Sequence, residues 1–255
     1  MYLLIPEVKR RPLDDFEIRL ETMIYCSVCA HANDDLDSIC ASCGSFIQDR
    51  IPNLDFFVTF WLLVESPTDA FTTIVRAEHK NYVLVLMFFL GIALAFSLLW
   101  VRHAGNEFDN LIYLILLGCV LGVLLAYPSG MSSVCVLHLL VKLFGGKGSI
   151  QNTYAVFGWA LIPIMATVCI VLPIELASIG LRLFSTNPSP WDVKPIVYFV
   201  LLTIDAIAVI WSVNLARVGL SIAHKISPWR SLGAVCLVWL ALSGALYKLF
   251  ASFVI

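Results

Sequence analysis

Long apolar runs separated by short polar gaps fill the chain from residue 82 onward, whereas residues 1–50 mix charged, polar and apolar positions without a period. The runs cover about 82–101, 111–128, 154–174, 196–214 and 231–250. About 20 apolar residues in helical form cross a hydrocarbon core of about 30 Å. Lipid offers no hydrogen bonds to loose backbone groups, so each run is expected to be a helix rather than a strand. The pattern predicts an all-α polytopic membrane protein with about five transmembrane helices, preceded by a small polar module.

Two stretches do not fit that count. Residues 131–144 are apolar but too short to cross, and Tyr127-Pro128-Ser129-Gly130 precedes them. Proline followed closely by glycine predicts a kink or break there. The stretch is then a continuation at or below the interface, with His138 and Lys142 one turn apart on its wetter side; a sixth short crossing is the weaker alternative. Residues 51–81 are read as interfacial helices. Within them Ser66-Pro67-Thr68-Asp69 predicts a helix start: a serine cap, proline at the first position and an acid in the first turn. The helix that follows puts Phe71, Ile74 and Val75 toward one side and Arg76 toward another. Ser66, Pro67, Phe71 and Arg76 are therefore a candidate partner surface. Ser189-Pro190 and Ser227-Pro228 give similar start signals before the last two runs.

Composition sharpens the division. The 255 residues are 60% hydrophobic and 13% charged, with a mean hydropathy of +0.90, far from the half-apolar, quarter-charged balance of a soluble domain. Residues 1–50 hold 14 of the 34 Asp, Glu, Lys and Arg residues. A net charge of −2 leaves no basic footprint for nucleic acid. The opening MYLLIPEVKRR places charge after the apolar stretch, the reverse of a secretory signal. With Met23 close behind, residues 1–22 are expected to be a flexible leader or a mis-called start. Lys and Arg near the run ends set the orientation. An inside amino terminus puts Arg76, Lys80, Lys142, Lys147, Arg217, Lys225 and Arg230 on the cytoplasmic flanks. Arg102, Arg182, Lys194 and Lys248 then fall outside, as does the carboxyl terminus.

The eight cysteines fall into two groups. Cys119, Cys135, Cys169 and Cys236 lie in apolar runs and are expected to be small buried hydrophobes. Cys26-Ser-Val-Cys29 and Cys40-Ala-Ser-Cys43 form two C-x2-C pairs, with Gly44 directly after the second. Two such pairs supply four thiolates for a tetrahedral ion, and glycine suits the turn in which backbone N–H groups approach sulfur. One structural Zn²⁺ per chain is expected in a miniature zinc ribbon over 23–50, iron being the lesser alternative. Four cysteines leave no open position for water, so the site organises a fold and hydrolyses nothing. The insert between the pairs carries Asp34, Asp35 and Asp37, the wrong sign for nucleic acid. Protein contact is left as the use of this head.

Catalytic sets do not assemble. Gly145-Gly146-Lys147-Gly148-Ser149 lacks the spacing, strand and metal ligands of a phosphate loop and reads as a flexible cytoplasmic turn. His31, His79, His103, His138 and His224 read as solvated or interfacial. Asp205 stands apart. An ionised acid at the centre of a span costs roughly 2.5–3.5 kcal/mol on insertion scales, and Ala208 and Ser212 continue a small, polar stripe on its face. Asp205 with Ser212 is either packing glue between helices or an intramembrane polar site; the second option makes the protein a small transporter or channel subunit.

From about residue 53 to the end the chain resembles the Yip family of integral membrane proteins, named in eukaryotes for interaction with Ypt/Rab GTPases. The resemblance rests on Ser66-Pro67 with Phe71 and Ile74, and on the Gly145-Gly146-Lys147-Gly148-Ser149 turn leading to Gly158, Trp159 and Pro163. Residues 211–220 entering Ser227-Pro228-Trp229-Arg230 complete it. It implies a five-span helical domain over 82–255, a cytosolic amino terminus and roles in trafficking or membrane organisation through protein partners, without catalysis. Bacterial relatives commonly carry a short zinc ribbon ahead of this domain, which implies a bacterial inner-membrane protein. A Rab-type GTPase is a partner only for a eukaryotic source. The bilayer, an unidentified membrane or cytoplasmic protein and a homo-oligomer are the other expected partners.

Overall fold

The protein, seen here as a computed structural model, is described over residues 23–49 and 51–251; the leader expected over 1–22 lies outside the described residues. Contacts divide the chain into a head, Met1–Arg50, and a helical unit, Ile51–Ile255. In the head, strands β1 (Met23–Tyr25) and β2 (Ala32–Asp34) pair antiparallel, with Tyr25 opposite Ala32 and Met23 opposite Asp34. A single bridge joins Ile39 to Phe46. Only Cys26, Asn33 and Cys40 are buried among its described residues. Such a unit has no apolar core to hold it and needs a staple of another kind.

The helical unit opens with α1 (Phe56–Glu65), capped by Asp55 Oδ1 accepting from the Val58 N–H at 3.0 Å. Helix α2 (Pro67–Arg76) follows at once. The Ser66 hydroxyl caps no backbone group; it donates to Asp69 Oδ2 at 2.6 Å. The Lys80 ammonium closes the other end of α2, donating to the carbonyls of Ile74, Val75 and Ala77 at 2.7–2.9 Å. A cation there satisfies orphan carbonyls and the negative end of the helix dipole. Burial pulls the Lys80 pKa down to about 8.

Four helical segments among the described residues are long and apolar enough to cross a membrane: α3 (Val83–Val101), α4 (Leu111–Leu143), the composite Ile150–Ser178 and α9 (Pro195–His224). The composite runs through α5 (Ile150–Ala160), α6 (Ile162–Ala166), a π-helical turn at Thr167–Val171 and α7 (Leu172–Ser178). A one-turn α8 (Pro190–Val193) precedes α9, and α10 (Pro228–Ala251) follows it. Helix α3 packs along α4, while α9 touches α2, α5, α6 and α10. The architecture is a mostly α-helical, multi-pass membrane domain behind a small β-hairpin.

Helix α4 corrects the expected break at 127–130. It runs unbroken through Pro128 for 33 residues, about 50 Å at 1.5 Å per residue. Proline removes one ladder bond, and hydroxyls take up backbone groups nearby. Ser129 donates to the Leu125 carbonyl at 2.6 Å, and Ser133 to the Ser129 carbonyl at 2.6 Å. This is how prolines are tolerated in membrane helices. The face that meets α3 is built from small residues. A Cβ on Gly91 would collide with the Gly122 carbonyl, and one on Gly122 would lie 2.9 Å from Ile92 Cα. Helices without a hydrophobic drive between them associate through such close backbone approach.

Candidate functional site

The four cysteines of the head converge. All four Sγ atoms lie within 4.8 Å of one another, with Cys26–Cys43 at 3.6 Å and Cys29–Cys40 at 3.5 Å. Tetrahedral zinc with bonds of about 2.3 Å has sulfur–sulfur edges of about 3.8 Å, so the donor set fits that ion. Each pair sits on the same turn. The Ala30 N–H bonds the Cys26 carbonyl and the Gly44 N–H the Cys40 carbonyl, at 2.9 and 3.0 Å. Next, Cys26 and Cys40 donate their own N–H groups to His31 and Ser45. The residue after each second cysteine is left-handed: Gly44 at φ +72° and Ala30 at φ +55°.

Other residues of the head prepare the sulfurs. The Ser45 hydroxyl, 3.1 Å from Cys26 Sγ and 3.0 Å from Cys43 Sγ, lowers the Cys26 pKa to about 6 with help from backbone N–H groups. The N–H of Cys43 leads the groups that lower Cys40. Thiolates are what a metal binds. Buried Asn33 ties the two turns together. Its side-chain N–H₂ reaches the His31 carbonyl at 2.8 Å and Cys40 Sγ at 3.6 Å, and its Oδ1 accepts from the Ala41 N–H at 2.9 Å. Sequence reading missed Asn33, Ser45 and Ala30; the place of Ala30, matching that of Gly44 after its own pair, was the available signal.

The helical unit separates Asp205 from Ser212. The Ser212 hydroxyl is buried and donates across to the Ala160 carbonyl at 2.7 Å, joining α9 to α5. Asp205, two turns away, makes no hydrogen bond among the described residues and lines a cavity of about 260 Å³ between α3, the composite segment and α9. Glu175 of α7 lines the same cavity. The sequence reading ended the third run at 174, one residue short of it. Phe71 is fully buried, packed toward Gly219 of α9, and is a core residue here; Ser66, Pro67 and Arg76 are half-buried.

A second polar cluster corrects the reading of the histidines. Fully buried His224 and half-buried His138 are bridged by Thr153, whose hydroxyl oxygen lies 2.8 Å from His138 Nδ1 and 2.8 Å from His224 Nε2. The 145–149 segment is anchored rather than loose. Cβ atoms on Gly146 or Gly148 would press on His224 Nδ1, and the Lys147 N–H donates to the His224 carbonyl at 3.0 Å. Three residues from distant parts of the chain make this cluster, so no local pattern announces it.

The comparisons with known proteins agree with this architecture. The Yip1 domain matches residues 61–249, most of the chain. The chain therefore belongs to the Yip1 domain family. Members are non-catalytic membrane proteins. No curated protein and no solved structure matches it.

Proposed function

We propose that this protein is a membrane organiser: a Yip-type multi-pass domain that tethers a zinc-folded head, through which it engages a partner protein. The observation that carries the reading is the head's surface. Met23, Tyr25 and Val28 are each more than 60% exposed around a donor set with no position open for chemistry. Apolar side chains displayed on a rigid, metal-clamped turn suit protein contact, and Asp34, Asp35 and Asp37 argue against nucleic acid. On this reading the head is cytoplasmic, α10 is the fifth crossing and the carboxyl terminus lies on the far side; in a bacterium the membrane is the inner one. Phe57 and Trp61, exposed on α1, suit the bilayer interface, and half-buried Ser66, Pro67 and Arg76 follow in the next helix and its N-cap. The partner is a membrane or cytoplasmic protein or a second copy of the chain, and a Rab-type GTPase only in a eukaryote.

Photo-crosslinking from position 28 in native membranes tests this. Discrete adducts that vanish in the Cys26→Ser variant are expected. Adducts unchanged by that variant would remove the head from partner binding. A second reading, a small transporter or channel subunit using Asp205, is favoured by the cavity beside that residue. Reconstituted vesicles separate the two: loss of a solute or proton flux in Asp205→Asn, with assembly intact, belongs to the transporter alone.

A further inference from the structure

The cavity between α3, α7 and α9 is poorly explained as packing. Its wall holds two carboxylates, Glu175 and Asp205, and no lysine, arginine or histidine. Glu175 is only 9% exposed, and neither carboxylate has a hydrogen-bond partner among the described residues. Buried acids ordinarily find such partners or a counter-charge. Ionisable groups at membrane depth mark ligand or ion pathways. The π turn at Thr167–Val171 brings Thr167 into the same wall, and π turns recur at functional sites.

The rest of the lining selects the kind of cation. Phe96, Trp100, Phe184 and Tyr198 supply four aromatic side chains. Small hard ions need about six oxygen ligands. Here the wall offers, besides the two carboxylates, only the hydroxyls of Ser97, Thr167 and Tyr198 in a mostly apolar lining. A volume of about 260 Å³ is several times the roughly 30 Å³ share of one water, so a bare ion would leave most of it unfilled. Carboxylates with aromatic faces suit a charged nitrogen that carries carbon.

We propose that this cleft binds a small organic ammonium group, its nitrogen between Glu175 and Asp205 and its carbon body against the aromatic wall. The assignment is one of binding; it stands apart from the head's role and requires no flux. The group arrives either on a free amine or as the headgroup of an amine-bearing lipid, since both present the same chemistry.

Full-length protein in phosphatidylglycerol nanodiscs, titrated with radiolabelled choline and with ethanolamine, tests the site. Saturable binding of at least one amine is expected. Glu175→Gln and Asp205→Asn, which keep side-chain size, should each weaken it at least tenfold, and the double variant should abolish it while remaining monodisperse. Cys26→Ser should leave it unchanged, which separates this site from the head. On the unaltered protein, 3,3-dimethylbutanol, the neutral isostere of choline, should compete at least tenfold less well than unlabelled choline. Native mass spectrometry after purification from phosphatidylethanolamine membranes assigns the source. Retained phosphatidylethanolamine that the double variant loses identifies a lipid headgroup; its absence beside choline or ethanolamine binding identifies a free amine. The proposal falls if neither amine nor phosphatidylethanolamine binds, if the isostere competes equally, or if the double variant binds like the parent.

Discussion

Ala30 and Gly44 occupy the same place in the two cysteine turns, and both are left-handed. A Cβ in that conformation costs roughly 1–2 kcal/mol, which glycine avoids. Ala30→Gly should therefore stabilise the head by about 0.5–1 kcal/mol, read as a higher denaturant midpoint for metal release; an unchanged or lower midpoint would contradict the equivalence of the turns. The purified protein should carry one zinc per chain, on the order that a four-thiolate site binds. Cys26→Ser or Cys43→Ser should lose it, and stoichiometric metal in a Cys40→Ser, Cys43→Ser double variant would overturn the assignment. Protons compete for the same sulfurs. Cys29 is held up at about 11 and Cys26 down at about 6, so zinc affinity should fall as pH drops across the neutral range and more steeply below about 6, followed with a chromogenic chelator.

At the scale of elements, α3 and α4 are held by close backbone approach. Gly122 and Gly233 are both helical, and their surroundings differ. A Cβ on Gly122 meets Ile92 Cα and Cγ1 at 2.9 Å, whereas one on Gly233 meets only Phe144 Cε2, at 3.9 Å. Gly122→Ala should lower stability in detergent by about 1–3 kcal/mol through overpacking. Gly233→Ala should be neutral or stabilising by up to about 1 kcal/mol, the helix propensity gained. Thermal unfolding of the two variants side by side is the measurement, and equal shifts would remove the packing argument. The Pro128 region shows why this face was illegible in advance. A sequence states that proline lacks an N–H; only the folded helix shows that Ser129 and Ser133 take up carbonyls beside it.

For the whole molecule, the arrangement of ends constrains topology. One end of the helical unit gathers Lys80, Lys142, His138, His224 and the 145–149 segment. The other joins Asn106 to Thr186 through two hydrogen bonds, at 2.9 and 3.1 Å. The basic residues favour the first end as cytoplasmic. A reporter inserted in 145–149 should be active inside, and one fused after Ile255 active outside. Reporters active on the same side would make the number of crossings between them even and would contradict the proposal that α10 is a fifth crossing.

Some of this protein is dictated locally. Apolar runs of bilayer length demand helices because lipid satisfies no backbone group, so the polytopic helical class is readable from hydropathy. The four-cysteine cluster, able to hold a metal ion, is half local: each C-x2-C pair sets its own turn, while buried Asn33 ties the two turns together. The other polar clusters depend on packing. Thr153 bridges His138 to His224, the latter 71 residues away in the chain, and Glu175 of α7 and Asp205 of α9 meet only in the packed helices, where they line one cavity. Helical periodicity says which residues share a face of one helix. Which faces then meet depends on where backbones can come close, as Gly91 and Gly122 allow, and that is decided by the three-dimensional fit of all the helices together.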